Sequence, residues 1–165
     1  MEISIKTIVM YGAVILTGLS AGLFYAWSVS VIPGTQQISD RTYLETMQSI
    51  NRAILNPAFF IIFFGSIVFL SIASIYEFQT GRLVFWIMLL ASITYLIGTV
   101  GVTGLGNVPL NDQLDTLRLT ELSADQAREF RQYYESNWNR LHLIRMIFSV
   151  VSFSGVVWAI FIDNK

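Results

Sequence analysis

The chain has 165 residues, 54% hydrophobic and 13% charged, with a mean hydropathy of +0.59, where a soluble domain carries about a quarter charged residues. These values exclude an intrinsically disordered chain, and ten basic against eleven acidic residues leave no surplus for a nucleic-acid partner. With no cysteine, disulfides and thiolate metal sites are excluded, and a single histidine excludes bis-histidine haem and histidine-rich di-iron centres.

Four charge-free runs follow in chain order: 33 residues over 7–39, 24 over 53–76, 29 over 83–111 and 17 over 146–162. A bilayer core needs roughly 17–25 helical residues, so each run can span, the last only just. The apolar part of the first run, residues 8–32, is far longer than the roughly 7–15-residue core of a secretory signal and reads as a true span. Gly18 and Gly22 in that run form a small-xxx-small packing pair. Between the first two spans, residues 40–55 place Tyr43, Met47, Ile50 and Ile54 on one helical face, with Ser39 or Asp40 available as a cap. Asn56-Pro57 then marks either a kink or a break with proline in the first turn. Spans two and three are joined by residues 77–82, a short hairpin containing Gly81. After the third span, Ser123-Ala124-Asp125-Gln126 has a capping-box pattern and opens a stripe of Ala127, Phe130, Tyr134 and Trp138. No glycine or proline occurs over residues 122–154, so one helix of about 40 residues can run from the capping box through the fourth span. The expected fold is all-α: one membrane-embedded domain over residues 1–165, a four-helix transmembrane bundle with two amphipathic helical extensions on one membrane face. Those extensions are expected to pack on each other, burying Tyr43, Met47, Phe130 and Tyr134.

Polar groups converge at that face. Trp138, His142, Arg145, Ser149 and Ser152 recur on one face of the fourth span, and a polar stripe facing lipid would be penalised, so it should face the bundle interior. Gln48, Asn51 and Asn56 stand before the second span. Asn107-Val108-Pro109-Leu110-Asn111 reads as a turn at the exit of the third, and Tyr25 and Trp27 lie near the far end of the first. Other readings stay open: the tyrosine and tryptophans as interfacial belt aromatics, the asparagines as caps, the serines as packing residues, and Arg145 as a side chain reaching for headgroups.

Three segments together resemble the anthrone oxygenase-like family of small four-span membrane proteins. They are Gly22-Leu23-Phe24-Tyr25-Ala26-Trp27-Ser28 with Pro33, Met47-Gln48-Ser49-Ile50-Asn51 with Asn56-Pro57, and Asn107-Val108-Pro109-Leu110-Asn111 with the later Trp138-Asn139-Arg140-Leu141-His142-Leu143-Ile144-Arg145. The resemblance implies a four-helix membrane bundle and, as in the fungal members, oxidation of anthrones to anthraquinones by molecular oxygen without an obvious cofactor. The residue inventory accommodates such chemistry. His142 is the candidate base, since an unperturbed imidazole titrates at about 6.5. Arg145, Asn107 and Asn111 are candidate donors to an enolate oxygen, and Tyr25, Trp27, Tyr134 and Trp138 are candidate walls for a flat substrate. Gln48 and Asn51 complete the candidate substrate contacts. No cofactor and no metal are called for, although Asp112, Asp115 and Glu135 leave a one-histidine carboxylate metal site as an alternative.

The expected partners are a hydrophobic small molecule and the lipid bilayer, with no nucleic acid and a homo-oligomer left open. The expected location is the plasma (inner) membrane. Lys6 and Arg82 flank spans directly and orient the termini to the cytoplasm, although counting every lysine and arginine gives the reverse. Two non-enzymatic alternatives stand beside the oxygenase: a lipid-binding module, which requires an elongated apolar groove, and an accessory subunit, which requires no pocket.

Overall fold

The computed structural model describes residues 4–78 and 82–163. Among these there is no strand, and five helices carry the fold. Helix α1 spans Ile5–Thr35, α2 Asp40–Ala53, α3 Pro57–Glu77, α4 Leu83–Asp115 and α5 Ala124–Asp163, with a 3-10 turn at Leu119–Glu121 before α5. Four of them, α1, α3, α4 and α5, are long and apolar enough to cross a bilayer.

Their boundaries follow from local chemistry. Ser4 caps α1 by accepting from the Thr7 amide at 3.1 Å. The Asn56 side chain accepts from the Phe59 amide at 3.1 Å, with Pro57 in the first turn, where its missing N–H costs nothing. Asn56-Pro57 is therefore a break between α2 and α3 rather than a kink. Ser123 and Gln126 form a reciprocal capping box at 3.2 and 2.8 Å. From it α5 runs unbroken for 40 residues. In the hairpin between α3 and α4, residues 79–81 lie outside the described residues.

The spans close a ring in which α1 packs on α3, α3 on α4, α4 on α5 and α5 on α1. Met10, Leu70, Met88, Tyr95 and Val156 fill its core. Two glycines permit its closest approaches. A Cβ at Gly98 would lie 1.9 Å from the Phe148 ring, and one at Gly12 2.3 Å from Phe69. Gly18 faces Phe153, whereas a Cβ at Gly22 would meet nothing, so only half of the small-residue pair serves packing. At one end of the ring Lys6 pairs with the fully buried Glu77 at 2.8 Å.

At the other end α2 lies against the start of α5 and the end of α4, burying Tyr43, Leu44 and Met47 with Leu114, Tyr134 and Trp138. Phe130 is only half-buried. Burial raises the Tyr43 phenol far above its ordinary range, so that it stays un-ionised. Arg131 secures this end: it bonds Glu135 at 2.9 Å, Asp40 at 3.1 Å and the Ile38 carbonyl at 2.7 Å, and lies 4.5 Å over the Tyr43 ring.

Three stretches depart from α geometry. Wider π turns occur at Trp27–Val31 in α1 and at Tyr95–Gly101 and Thr103–Asn107 in α4. Pro33 and Pro109 stand just beyond such stretches, in the first turns of the α segments Ile32–Thr35 and Val108–Asp115. In a continuous α-helix each ring would meet the carbonyl four residues back, and the wider turn relieves that conflict. Residues 107–111 are consequently not the expected exit turn. The helix continues through Pro109 to Asp115.

Candidate functional site

The three π stretches adjoin one segment of α5. Thr99 reaches the Arg145 carbonyl at 3.4 Å, Thr103 the Arg145 guanidinium at 3.4 Å, Asn107 the Trp138 carbonyl at 3.3 Å and Ser28 the His142 ring at 3.0 Å. The interior face of α5 carries buried His142, Arg145, Ser149 and Ser152 below Trp138. Between this face and the ends of α1, α2, α3 and α4 lies a cavity of about 180 Å³, with Trp138, His142 and Arg145 in its lining.

The hydrogen bonds define the tautomer of His142. Its Nδ1 lies 3.3 Å from Arg145 Nε and 3.1 Å from Arg145 Nη2. A guanidinium only donates, so Nδ1 accepts and the ring proton resides on Nε2. That proton points to the Phe24 carbonyl at 3.1 Å, with the Ser28 hydroxyl 3.0 Å from the same nitrogen. The ring stacks on Trp138, with centroids 5.1 Å apart and an interplanar angle of 6°, and Phe24 meets it edge-on.

Arg145 is 8% exposed, and no carboxylate pairs with it among the described residues. Its guanidinium lies 4.8 Å from the Phe24 ring and 4.9 Å from the Trp138 ring, so aromatic faces stand where a counter-ion would be expected. Of its five N–H groups, those on Nε and one each on Nη2 and Nη1 reach His142 and Thr103, and two have no acceptor among the described residues. A buried, uncompensated cation costs free energy unless something negative joins it. Arg145 is the cation at this cavity that has no carboxylate partner among the described residues.

A separate network fixes its aromatic wall. Asn111 Oδ1 accepts from Tyr134 Oη and from Trp138 Nε1, both at 2.9 Å, and Asn51 Nδ2 donates to Tyr134 Oη at 3.1 Å. Trp27 packs on Trp138 with ring centroids 5.7 Å apart. The rim is polar, with Arg52 bonded to Asp115 at 2.7 Å and Asp112 beside them.

Of the residues expected at the site, Trp27, Asn51, Asn111, Trp138, His142 and Arg145 line the cavity. Tyr134 is buried behind the wall and acts on it through Asn51 and Asn111. Asn107 is also buried outside the lining, and its Oδ1 has no partner. Gln48 instead caps the end of α4, donating to the Leu114 and Leu117 carbonyls at 2.8 and 3.1 Å. Tyr25 is 56% exposed on the outer surface. Asp112 and Asp115 reach the rim, whereas Glu135 is taken by Arg131, and the described residues contain no group of three His, Cys, Asp or Glu able to hold a metal ion. Phe24, Ser28 and Thr103 are additional site residues. The first two stood inside a segment singled out by sequence, and Thr103 signalled itself only as a hydroxyl in an apolar span.

Four apolar helices in a ring, with a cationic, aromatic-walled cavity at one end, define a four-span helical membrane protein with its polar centre inside the bundle. Its particular kinship is shown by the family model for anthrone oxygenase, which matches residues 57–155, and the chain belongs to that family. The matched part contains Asn107, Asn111, Trp138, His142 and Arg145, while Phe24, Trp27, Ser28 and Asn51 lie before it. Neither the curated proteins nor the solved structures include a match to the chain.

Proposed function

We propose that this protein is a membrane oxygenase that oxidises a hydrophobic hydroxyaromatic or quinone-like compound with molecular oxygen, in a cofactor-independent reaction of the anthrone type. The observation that carries the reading is the uncompensated Arg145 beside the chain's single histidine in one aromatic-walled cavity.

The hydrogen-bond pattern supports the following order of events. While Arg145 donates to Nδ1, the proton-accepting lone pair of His142 is occupied. A substrate carbonyl or hydroxyl oxygen that draws the Arg145 donors to itself releases that lone pair. His142 then removes the proton from the activated methylene, the electron pair moves to the oxygen, and Arg145 stabilises the resulting enolate. The enolate passes one electron to O2, the radical pair joins in a carbon–oxygen bond, and protonation gives a hydroperoxide. Loss of water leaves the ketone, so one oxygen atom enters product and the other leaves as water. Ser28 and the Phe24 carbonyl orient the ring from its Nε2 side throughout.

Oxygen uptake by purified protein with anthrone and simpler hydroxyaromatics tests the reading. His142→Gln and His142→Ala should each lose about 10²–10⁴-fold in rate while the fold is kept. Arg145→Lys retains the charge but not the planar fork and should impair turnover. Turnover that survives His142→Ala removes the base role. Turnover that vanishes with chelator and returns with iron or copper replaces this scheme with a metal-dependent one.

A further inference from the structure

We propose that the cavity receives a hydroxyaromatic of one or two fused rings and holds it as its oxyanion, with the oxyanion on the Arg145 guanidinium, whose donors it shares with or draws from His142 Nδ1, and the neutral end at the rim. The inference rests on reading this cavity as the reactive site, and it narrows the substrate class in size and in charge.

Size comes first. An apolar cavity of about 150 Å³ holds a benzene. This one, at about 180 Å³, has room for one substituted ring, and a second fused ring can extend toward the opening. A third linear ring directed toward Arg52, Asp112 and Asp115 would meet the Arg52–Asp115 ion pair, which spans 2.7 Å with more than half of each side chain exposed. Placing an apolar ring there means disrupting that pair or desolvating it, with no hydrophobic gain on the solvent side.

Charge comes next. The inner end has a buried guanidinium with two unclaimed donors and no carboxylate. An aromatic oxyanion supplies the counter-charge and a planar acceptor suited to the fork. The outer end is different. Asp112 and Asp115 stand there, so a ligand with a second anionic group on its far side meets like charge. The preferred ligand is therefore a monoanion with an apolar body.

The test uses the full chain in nanodiscs and 4-nitrophenol, whose phenolate absorbs visible light and whose phenol does not. Below the pKa of free nitrophenol, wild-type protein should generate a saturable phenolate band. Arg145→Gln should weaken that binding by about 30-fold or more, since one partner of a buried charge pair is lost. 1-Naphthol should displace the phenolate, and 2-hydroxyanthracene should do so about tenfold less well. The wild-type band and the competition series stand even if the variant does not fold. Nitrophenol bound without the phenolate band, or a band unchanged in Arg145→Gln, overturns the charge assignment. Equal displacement by the tricycle overturns the size assignment. Phenolate capture without oxygen uptake on any hydroxyaromatic refutes the oxygenase and leaves this inference standing. Oxygen uptake on tricycles without phenolate capture does the reverse.

Discussion

Trp138 is held more tightly than a belt aromatic would be, because its indole N–H and the Tyr134 hydroxyl share a single acceptor, Asn111 Oδ1. Replacing Asn111 by leucine keeps the volume but leaves two buried donors without a partner, at about 1–3 kcal/mol each. Asn111→Leu should therefore lower the thermal midpoint measurably, and in the oxygenase scheme it should raise KM more than it lowers kcat, because the wall moves and His142 does not. A variant with the wild-type melting curve would show that the network does not hold the wall. At this scale the sequence was informative wherever a polar side chain had no alternative partner. His142 and Arg145 lie inside an apolar bundle and have to face its interior. Gln48 was misleading because an amide near the site equally serves the open carbonyls at the end of α4. Tyr25 was misleading because it was placed by its depth along α1 alone, and it follows directly on Phe24, which faces the interior, so it points outward.

The helices themselves were largely legible. The unbroken run without glycine or proline became the 40-residue α5, and Pro57 marked a helix start. The π stretches left no trace in hydropathy, since they add about one residue to a turn without changing the apolar character of the span. Their effect is on register. Deleting Gly104, to which a Cβ would find nothing close, should return Thr103–Asn107 toward α geometry while the later residues keep their facing. The Pro109 ring would then meet the carbonyl four residues back, and the Thr103 and Asn107 contacts with α5 would be disturbed, so the deletion should lower thermal stability and the activity tested above. Wild-type behaviour after the deletion would show that these turns are incidental. Gly98 gives a simpler test of helix packing. Gly98→Val drives a branched side chain into Phe148 and should cost about 1–3 kcal/mol, read as a lower unfolding temperature.

At the scale of the molecule, the ring of spans places Ser4 and the Lys6–Glu77 pair at one end and α2, Asp125 and the cavity at the other. Because the chain lacks cysteine, single cysteines at Ser4 and Asp125 should react with an impermeant reagent from opposite membrane faces. Reaction of both from one face would contradict the threading. Four spans were legible because charge-free length is a coarse signal that survives any detail of packing. The cavity was not, because it arises where the ends of four helices meet the middle of α5 and depends on which wall each side chain joins. The contact between Arg145 and Nδ1 of His142 links the donor to the base, and the single histidine makes it directly observable. A 15N spectrum of histidine-labelled protein should show one imidazole, protonated at Nε2 and accepting at Nδ1. The Nδ1 resonance should move toward that of a free lone pair when a non-oxidisable hydroxyaromatic is added. A ring protonated at Nδ1, or an Nδ1 signal indifferent both to the ligand and to Arg145→Lys, would contradict it.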